Sequence, residues 1–258
     1  MLFKLVSNIK SKYSWFLPFL LFLLFGFNAC GAAAIQDEID PDAFAWKYKA
    51  ILISGDSSIT AFDNARESVK RLLVSKGVKP GDIYELSRIK AKLRGRIKYT
   101  TEKNIENAFK QLKVGLNSAC MIFMSSHGSE YGFSIDGVEL FTPDELNALL
   151  IKYCGTQPAV VIVSACYSGI FTNNKMLHPN RVIMTAARKD RTSFGCGVEN
   201  QYTYYDGCLV ANLSAYRTWR SVALSARKCI ERKEVGLLPS LPQIYIGQDV
   251  RTLQLPTR

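Results

Sequence analysis

Two residues that could carry covalent chemistry each follow an apolar segment of the chain. Cys166 lies in VVIVSACYSG (160–169), and His127 lies in MIFMSSHG (121–128). A thiol attacks a carbonyl as its thiolate, and a nearby imidazole can stabilise the thiolate and then protonate the leaving amine. Each residue also has a structural alternative: Cys166 as a small buried hydrophobe, and His127 as a hydrogen-bonded side chain before a turn. The two patterns together favour a nucleophile and its base.

Strands that alternate with amphipathic helices would position these residues. Helices are predicted over 62–73, around Ile105 to Leu112, from Thr142 to Tyr153 and around 218–234, with a hairpin over 131–140. Six strands are predicted at 50–55, 82–86, 119–128, 160–165, 181–187 and 242–247. This order predicts a three-layer α/β fold, in which a mostly parallel six-stranded sheet carries helices on both faces.

The carboxyl ends of parallel strands meet at one edge of a sheet, so we expect His127 and Cys166 to face each other there. Gly128 allows close approach of its backbone, and its N–H together with that of Cys166 would hold a developing oxyanion. Gly169 is expected to allow the sharp turn after Cys166. The combination predicts nucleophilic attack on a carbonyl.

The N-terminus has the features of an export signal. Lys4, Lys10 and Lys12 precede WFLPFLLFLLFGF, an uncharged run of 13 residues, and NACGAAA follows it. A membrane span needs about 20 residues, so the run is short for an anchor. We therefore expect a signal peptide at 1–30, a linker at 31–47 and one domain at 48–258, exported to the periplasm or cell envelope.

Cys30 is a candidate for lipidation, since FNAC resembles a bacterial lipoprotein signal. Ordinary cleavage after the Ala32 to Ala34 run, without lipidation, is the alternative. The formal charge of +11 over 258 residues is compatible with attraction to an anionic membrane. No aromatic-basic stripe of the kind that binds nucleic acid is evident, so no nucleic-acid partner is expected.

The chain contains seven cysteines. Cys196 and Cys208 flank a short loop and are the predicted disulfide, whereas Cys120 and Cys229 are expected to be buried thiols. No Cys-x-x-Cys pair occurs, which argues against a zinc site. We expect no metal.

The MIFMSSHG and VVIVSACYSG segments resemble the His-Gly and Ala-Cys-x-Ser-Gly blocks of the legumain-like cysteine peptidases, which share the caspase-type fold. The resemblance extends to LISGDSSITAFDNA, TAARKDRTSFGC and PQIYIG, covers 48–248, and is closer to bacterial members. It implies an endopeptidase with a His127/Cys166 dyad, peptide or protein substrates, and no cofactor.

The chain also departs from the legumain pattern. Legumains support the catalytic His with an Asn after the first strand, and a gap-free count puts Ser57 there. Their Arg-His pair and acidic residue for binding an Asn side chain fall on Ala61, Phe62 and Ser164. Acidic and hydroxyl residues remain as candidates for the pocket that binds the residue before the scissile bond (S1): Asp56, Asp63, Ser164, Ser193 and Asp206.

A pocket with a carboxylate but no basic side chain predicts cleavage after Arg or Lys rather than after Asn. For Asp56 and Asp63, capping of the first helix and its preceding turn is the alternative. Two other functions stay open: a transpeptidase or transamidase that uses the same dyad, and an envelope scaffold that has lost turnover.

Overall fold

The computed structural model describes residues 45–257, in which seven strands form one sheet in the order β3-β2-β1-β4-β7-β8-β9. Every neighbouring pair is parallel except β8 and β9, which are antiparallel. A separate antiparallel hairpin joins β5 to β6. The strands are β1 (Lys47–Ser54), β2 (Ile83–Ser87), β3 (Ile97–Tyr99), β4 (Ser118–Ser125), β5 (Phe133–Ile135), β6 (Glu139–Phe141), β7 (Ala159–Ser164), β8 (Arg181–Thr185) and β9 (Gln243–Ile246).

Five α-helices cover the two faces of the sheet: α1 (Ala61–Ser75), α2 (Glu102–Gln111), α3 (Pro143–Tyr153), α4 (Tyr204–Ala215) and α5 (Trp219–Lys233). Alternate residues of the central strands point to opposite faces. Leu52 and Phe123 join the core that α1, α4 and α5 cover, whereas Ile51 and Ile122 join the core under α2 and α3. The predicted three-layer architecture is confirmed.

The structure adds two elements to the predicted set. The sheet has seven strands rather than six, because part of the basic segment after β2 forms the short β3. Helix α4 was not predicted, since its apolar residues are not confined to one helical face and Gly207 interrupts them. The predicted hairpin is present, and so is the capping box in which Thr142 and Glu145 satisfy each other's backbone at the start of α3.

The three central strands end level with one another. Ser54 at the end of β1 is in register with Ser125 at the end of β4, which is in register with Ser164 at the end of β7. All three serines are buried. The residues that follow β4 and β7 therefore lie side by side.

The disulfides differ from the predicted pairing. Cys208 of α4 pairs with Cys229 of α5, and Cys120 of β4 pairs with Cys154 after α3, with Cα–Cα distances of 5.8 and 6.2 Å. Cys196 is a free thiol. The prediction of a Cys196–Cys208 bridge was wrong because packing of α4 against α5 brings Cys229 to Cys208, a contact that sequence proximity does not indicate. Cys120 and Cys229 are likewise disulfide-bonded rather than buried thiols.

The predicted signal peptide, Cys30 and all but the end of the predicted linker fall outside the described residues. Between residues 45 and 257, no helix is both long enough and apolar enough to cross a membrane.

Candidate active site

The loop after β4 lies against the backbone of Cys166. A Cβ atom added to Gly128 would come closer than 3.0 Å to the carbonyl oxygen of Cys166 and to the Cβ of Ala165. Only glycine fits this approach. The backbone of Gly128 also bridges to Phe133 of β5, and the Ser134 N–H donates to the His127 carbonyl at 3.0 Å. The β5–β6 hairpin thus holds the His127–Gly128 segment against the end of β7.

The ring of His127 is fixed on two sides. Its Nε2 lies 3.1 Å from the hydroxyl of Ser58, and the ring packs edge-on against Phe62 with centroids 5.1 Å apart. The Ser58 N–H in turn donates to Oδ1 of Asp56 at 2.6 Å, which closes a tight turn after β1. The gap-free count from the sequence had placed the residue that supports the His127 ring at Ser57. In the structure the contact with the ring is made by Ser58, one position later.

Cys166 is half-buried, and its sulfur faces the loop after β8. Sγ accepts a hydrogen bond from the Ser193 N–H at 3.3 Å and lies 3.6 Å from the Ser193 hydroxyl. Among the described residues, no hydrogen bond joins Sγ to His127. Catalytic hydrogen bonds are often loose without substrate. Ser193 therefore adjoins the thiol.

The turn after Cys166 is made differently from the prediction. Tyr167 has φ 57°, in the left-handed region, and its N–H donates to the Arg191 carbonyl at 2.7 Å. Gly169 is required for another reason, since a Cβ there would come closer than 3.0 Å to the backbone of Arg188 and Lys189. The segment after the thiol is thereby packed against the loop after β8.

Asp206, in the first turn of α4, lies beneath both strand ends. It is completely buried, and its Oδ2 accepts a hydrogen bond from Ser125 at 2.7 Å. Burial raises the pKa of its carboxyl to about 6, although hydrogen bonds from Ser125, Ser164 and Thr203 partly oppose this shift. Its Oδ1 has no hydrogen-bond partner among the described residues. The carboxyl therefore keeps one oxygen for a donor that the free protein does not supply.

The loop between Ser193 and Thr203 leads into α4 and packs against its start, where the Tyr204 N–H donates to the Phe194 carbonyl at 3.0 Å. Cys196 in this loop is half-buried, and Ile59, Ala61 and Phe62 form the apolar cluster against which it packs. Burial raises the pKa of the Cys196 thiol to about 11, and the neighbouring charges of Cys166 and Asp206 add to the shift. Cys196 thus lies near both the thiol and the carboxyl.

Two of the five pocket candidates have other roles. Asp63 is buried in an ion pair with Arg66 at 2.9 Å and accepts from Ser87 at 2.6 Å, so it is not available to a ligand. The Arg three positions after Asp63 was the sequence signal for this pair. Asp56 closes the Ser58 turn, which agrees with the alternative of a turn-capping role. Ser164, Ser193 and Asp206 are the candidates that the structure brings together.

Three residues of the site were not identified from the sequence: Ser58, Ser125 and Thr203. Thr203 caps α4 by accepting from the Asp206 N–H at 3.0 Å, and its hydroxyl lies 3.4 Å from that of Ser164. A repeated pattern could have indicated Ser125, because a serine stands two positions before His127 as Ser164 does before Cys166.

A cavity of about 700 Å³ opens beside the Cys166 turn. Its walls include Gly169 and Ile170 after the thiol, Arg188 and Lys189 after β8, and Lys175. A peptide bound at Cys166 would find room here for residues beyond the reacting bond.

Comparisons with known proteins agree with this geometry. Caspase-1 from Spodoptera frugiperda has a similar structure, with a TM-score of 0.57 and 13% sequence identity over 82% of this chain and 93% of that chain. A comparison with curated protein sequences finds no match. The sequence model of the peptidase C13 family matches residues 74–221, a segment that includes His127, Gly128 and Cys166. Since this match spans more than half of a chain with a caspase-like fold, the protein belongs to the peptidase C13 family of cysteine peptidases.

Proposed function

We propose that the protein is an endopeptidase that cleaves peptide bonds with Cys166 as the nucleophile and His127 as the general base and acid. The observation that carries this proposal is the packing of Gly128 against the Cys166 carbonyl, which places the residue after His127 on the backbone of the nucleophile. A structural cysteine at the end of a buried strand would have no need of this neighbour.

The proposed reaction has two steps. His127 accepts the thiol proton, and Sγ attacks the substrate carbonyl carbon while the N–H groups of Gly128 and Cys166 stabilise the oxyanion. His127 then protonates the leaving amine, which leaves a thioester on Cys166. Water, deprotonated by His127, hydrolyses the thioester and restores the thiol.

Room for substrate on either side of the reacting bond supports endopeptidase activity. The cavity lined by Gly169 and Lys189 lies beside the Cys166 turn, and the loop that carries Ser193 and Cys196 borders Cys166 as well. We propose that an internal peptide segment bound at Cys166 extends into this cavity.

The dyad can be tested with fluorogenic peptides and a thiol-directed peptide probe. Cys166→Ala is expected to abolish cleavage, and His127→Ala to lower kcat by about 10² to 10⁴ because proton transfer is lost. Cys196→Ala removes the other free thiol of residues 45–257 and serves as the labelling control, since the probe should still label it and should not label Cys166→Ala. Cleavage by Cys166→Ala would rule out the assignment, and an inactive wild-type protein would favour the scaffold.

Ser58 is proposed to position His127 through the contact with Nε2. Ser58→Ala should lower kcat about tenfold with little change in KM, because one hydrogen bond that orients the ring is lost. It should also alter the pH profile of kcat, and Ser58→Thr, which keeps the hydroxyl, should restore activity. Ser57→Ala is the matched control, since Ser57 is the exposed neighbour without a side-chain hydrogen bond among the described residues. Equal effects of both alanine variants would contradict the positioning role.

We further propose that the residue before the cleaved bond is Arg or Lys. Asp206 supports this, since it is a buried carboxyl with one unpartnered oxygen and no basic partner, next to Ser164 and near the thiol. A guanidinium or ammonium group would offset the cost of burying this charge. Ala61 and Phe62, by contrast, offer no side-chain donor to an Asn amide oxygen.

Peptides that differ only at this position test the preference. We expect higher kcat/KM for Arg and Lys than for Asn, and Asp206→Asn should reduce it most for the basic peptides. The ratio of kcat/KM for Arg to that for Gln should rise as the pH increases through about 6, because the Asp206 carboxyl ionises there and only the ionised form attracts a cation. A preference for Asn, or a ratio that does not change with pH, would contradict the role of Asp206.

Export is proposed as the setting of this activity. Two disulfides in the folded domain support it, because such bonds persist in oxidising compartments. Mass spectrometry of protein from the native cell envelope should find an N-terminus at Cys30 or between residues 31 and 35. If Cys30 is acylated, labelled palmitate should enter the wild-type protein but not Cys30→Ser. Cytoplasmic protein that retains residues 1–30 would contradict export.

A further inference from the structure

Basic residues occupy every second position of the segment RIKAKLRGRIK, residues 88–98. They alternate with small or aliphatic residues throughout. The six cations are Arg88, Lys90, Lys92, Arg94, Arg96 and Lys98. The proposed peptidase chemistry uses none of them.

In the structure, this segment lies along one edge of the sheet and places its charged side chains there. The segment leaves β2 after Ser87 and returns as β3, the outermost strand on that side. Ile89, Leu93 and Ile97 are half-buried. Four cations are exposed, and we call them the basic edge: Lys90, Arg94, Arg96 and Lys98.

The basic edge is not neutralised by the protein. Arg88 pairs with Asp136, and Lys92 pairs with Glu67 at 2.8 Å. Within residues 45–257, the four cations of the basic edge have no ion-pair partner. Glu67 is shared with the exposed Arg71 of α1, so the positive surface continues onto that helix. Charges left unpaired in this way create a local positive potential.

A cavity of about 310 Å³ lies within this surface. Arg96 and Lys98 line it together with the amide side chains of Asn104 and Asn107. Glu85 also lines it, but its carboxylate is paired with Arg66 and Lys70. Cationic and amide donors around one recess suit a phosphate group. Arg96 also lies over the Tyr84 ring, and Arg88 over the Tyr99 ring, so one face of each ring is occupied by an arginine.

We propose that the basic edge binds the anionic phospholipids of a membrane surface. Clusters of four or more Lys and Arg residues attract such surfaces. The uncharged run at residues 15–27 belongs to the same chain and suits export through a membrane, which makes a lipid surface the nearest polyanion. β3 is four strands from β7, about 19 Å across the sheet, so a membrane at this edge leaves Cys166 open to substrate.

Vesicle co-sedimentation of the full chain tests the proposal. Vesicles of phosphatidylcholine alone measure the contribution of the apolar N-terminus, and vesicles with one third phosphatidylglycerol add the anionic charge. The wild type is expected to prefer the anionic vesicles by about tenfold or more at low salt, and to lose most of this preference in 0.5 M salt. The variant with Lys90, Arg94, Arg96 and Lys98 all changed to Gln should lose the preference.

A second quadruple variant separates the local surface from net charge. Arg220, Lys228, Arg232 and Lys233 of α5 are exposed and have no ion-pair partner among the described residues, so their change to Gln removes the same charge. This control should keep the preference. If the basic-edge variant does not fold, Lys90→Gln with Arg94→Gln, both outside the strands, should lose about half of the preference on a logarithmic scale.

Three outcomes would overturn the proposal. They are equal losses in the two quadruple variants, an unchanged preference in the basic-edge variant, and wild-type binding to heparin without a preference for anionic vesicles. The last result would identify an acidic polymer as the partner. The test does not depend on peptidase activity, so it stands apart from the proposed function.

Discussion

The close approach of Gly128 to the Cys166 carbonyl is the contact on which the rest of the site depends. It requires that β4 and β7 end at the same level, that no side chain intervene, and that the His127 segment be held from the other side by the β5–β6 hairpin. The strand register is enough to make β4 and β7 end at the same level. Paired parallel strands of a fully buried sheet cannot slip past each other without moving their side chains from one core to the other. The positions of His127 and Cys166 are thus set by the packing of the central strands.

Much of this arrangement could be predicted from the sequence, because it rests on local patterns. Apolar runs followed by polar residues indicated the strands and their ends, and the alternation of strands with helices indicated a parallel sheet. Helix α4 was missed since its apolar residues do not follow one face. The disulfides were mispredicted for a related reason: Cys208 and Cys229 meet only when α4 and α5 pack together, and neighbouring cysteines in the sequence carry no information on that packing.

The two buried aspartates, Asp63 and Asp206, show what the sequence could not distinguish within the site. Asp63 and Asp206 are both buried, yet Arg66 pairs with Asp63, whereas no cation among the described residues pairs with Asp206. Burial lowers the pKa of Arg66, but its hydrogen bonds to Asp63 and the charges of Asp63 and Glu85 outweigh this effect and raise it. The ion pair therefore stays charged inside the protein and belongs to the structure. A gap-free count could bring both aspartates near the pocket, but only the three-dimensional neighbours distinguish them.

This difference in partners bears on what the site could bind. A buried carboxyl without a cation raises the free energy of the folded state above pH 6, where it ionises, relative to the unfolded chain with its ordinary carboxyl. The cost reaches about 3 kcal/mol, since one pKa unit corresponds to about 1.4 kcal/mol. A hydrophobic residue in place of Asp206 would avoid that cost but would leave the hydroxyl of Ser125 without its acceptor. A ligand that donates to the unpartnered oxygen would recover part of this cost on binding, so the raised pKa of Asp206 and the proposed preference for a cationic side chain have one physical origin.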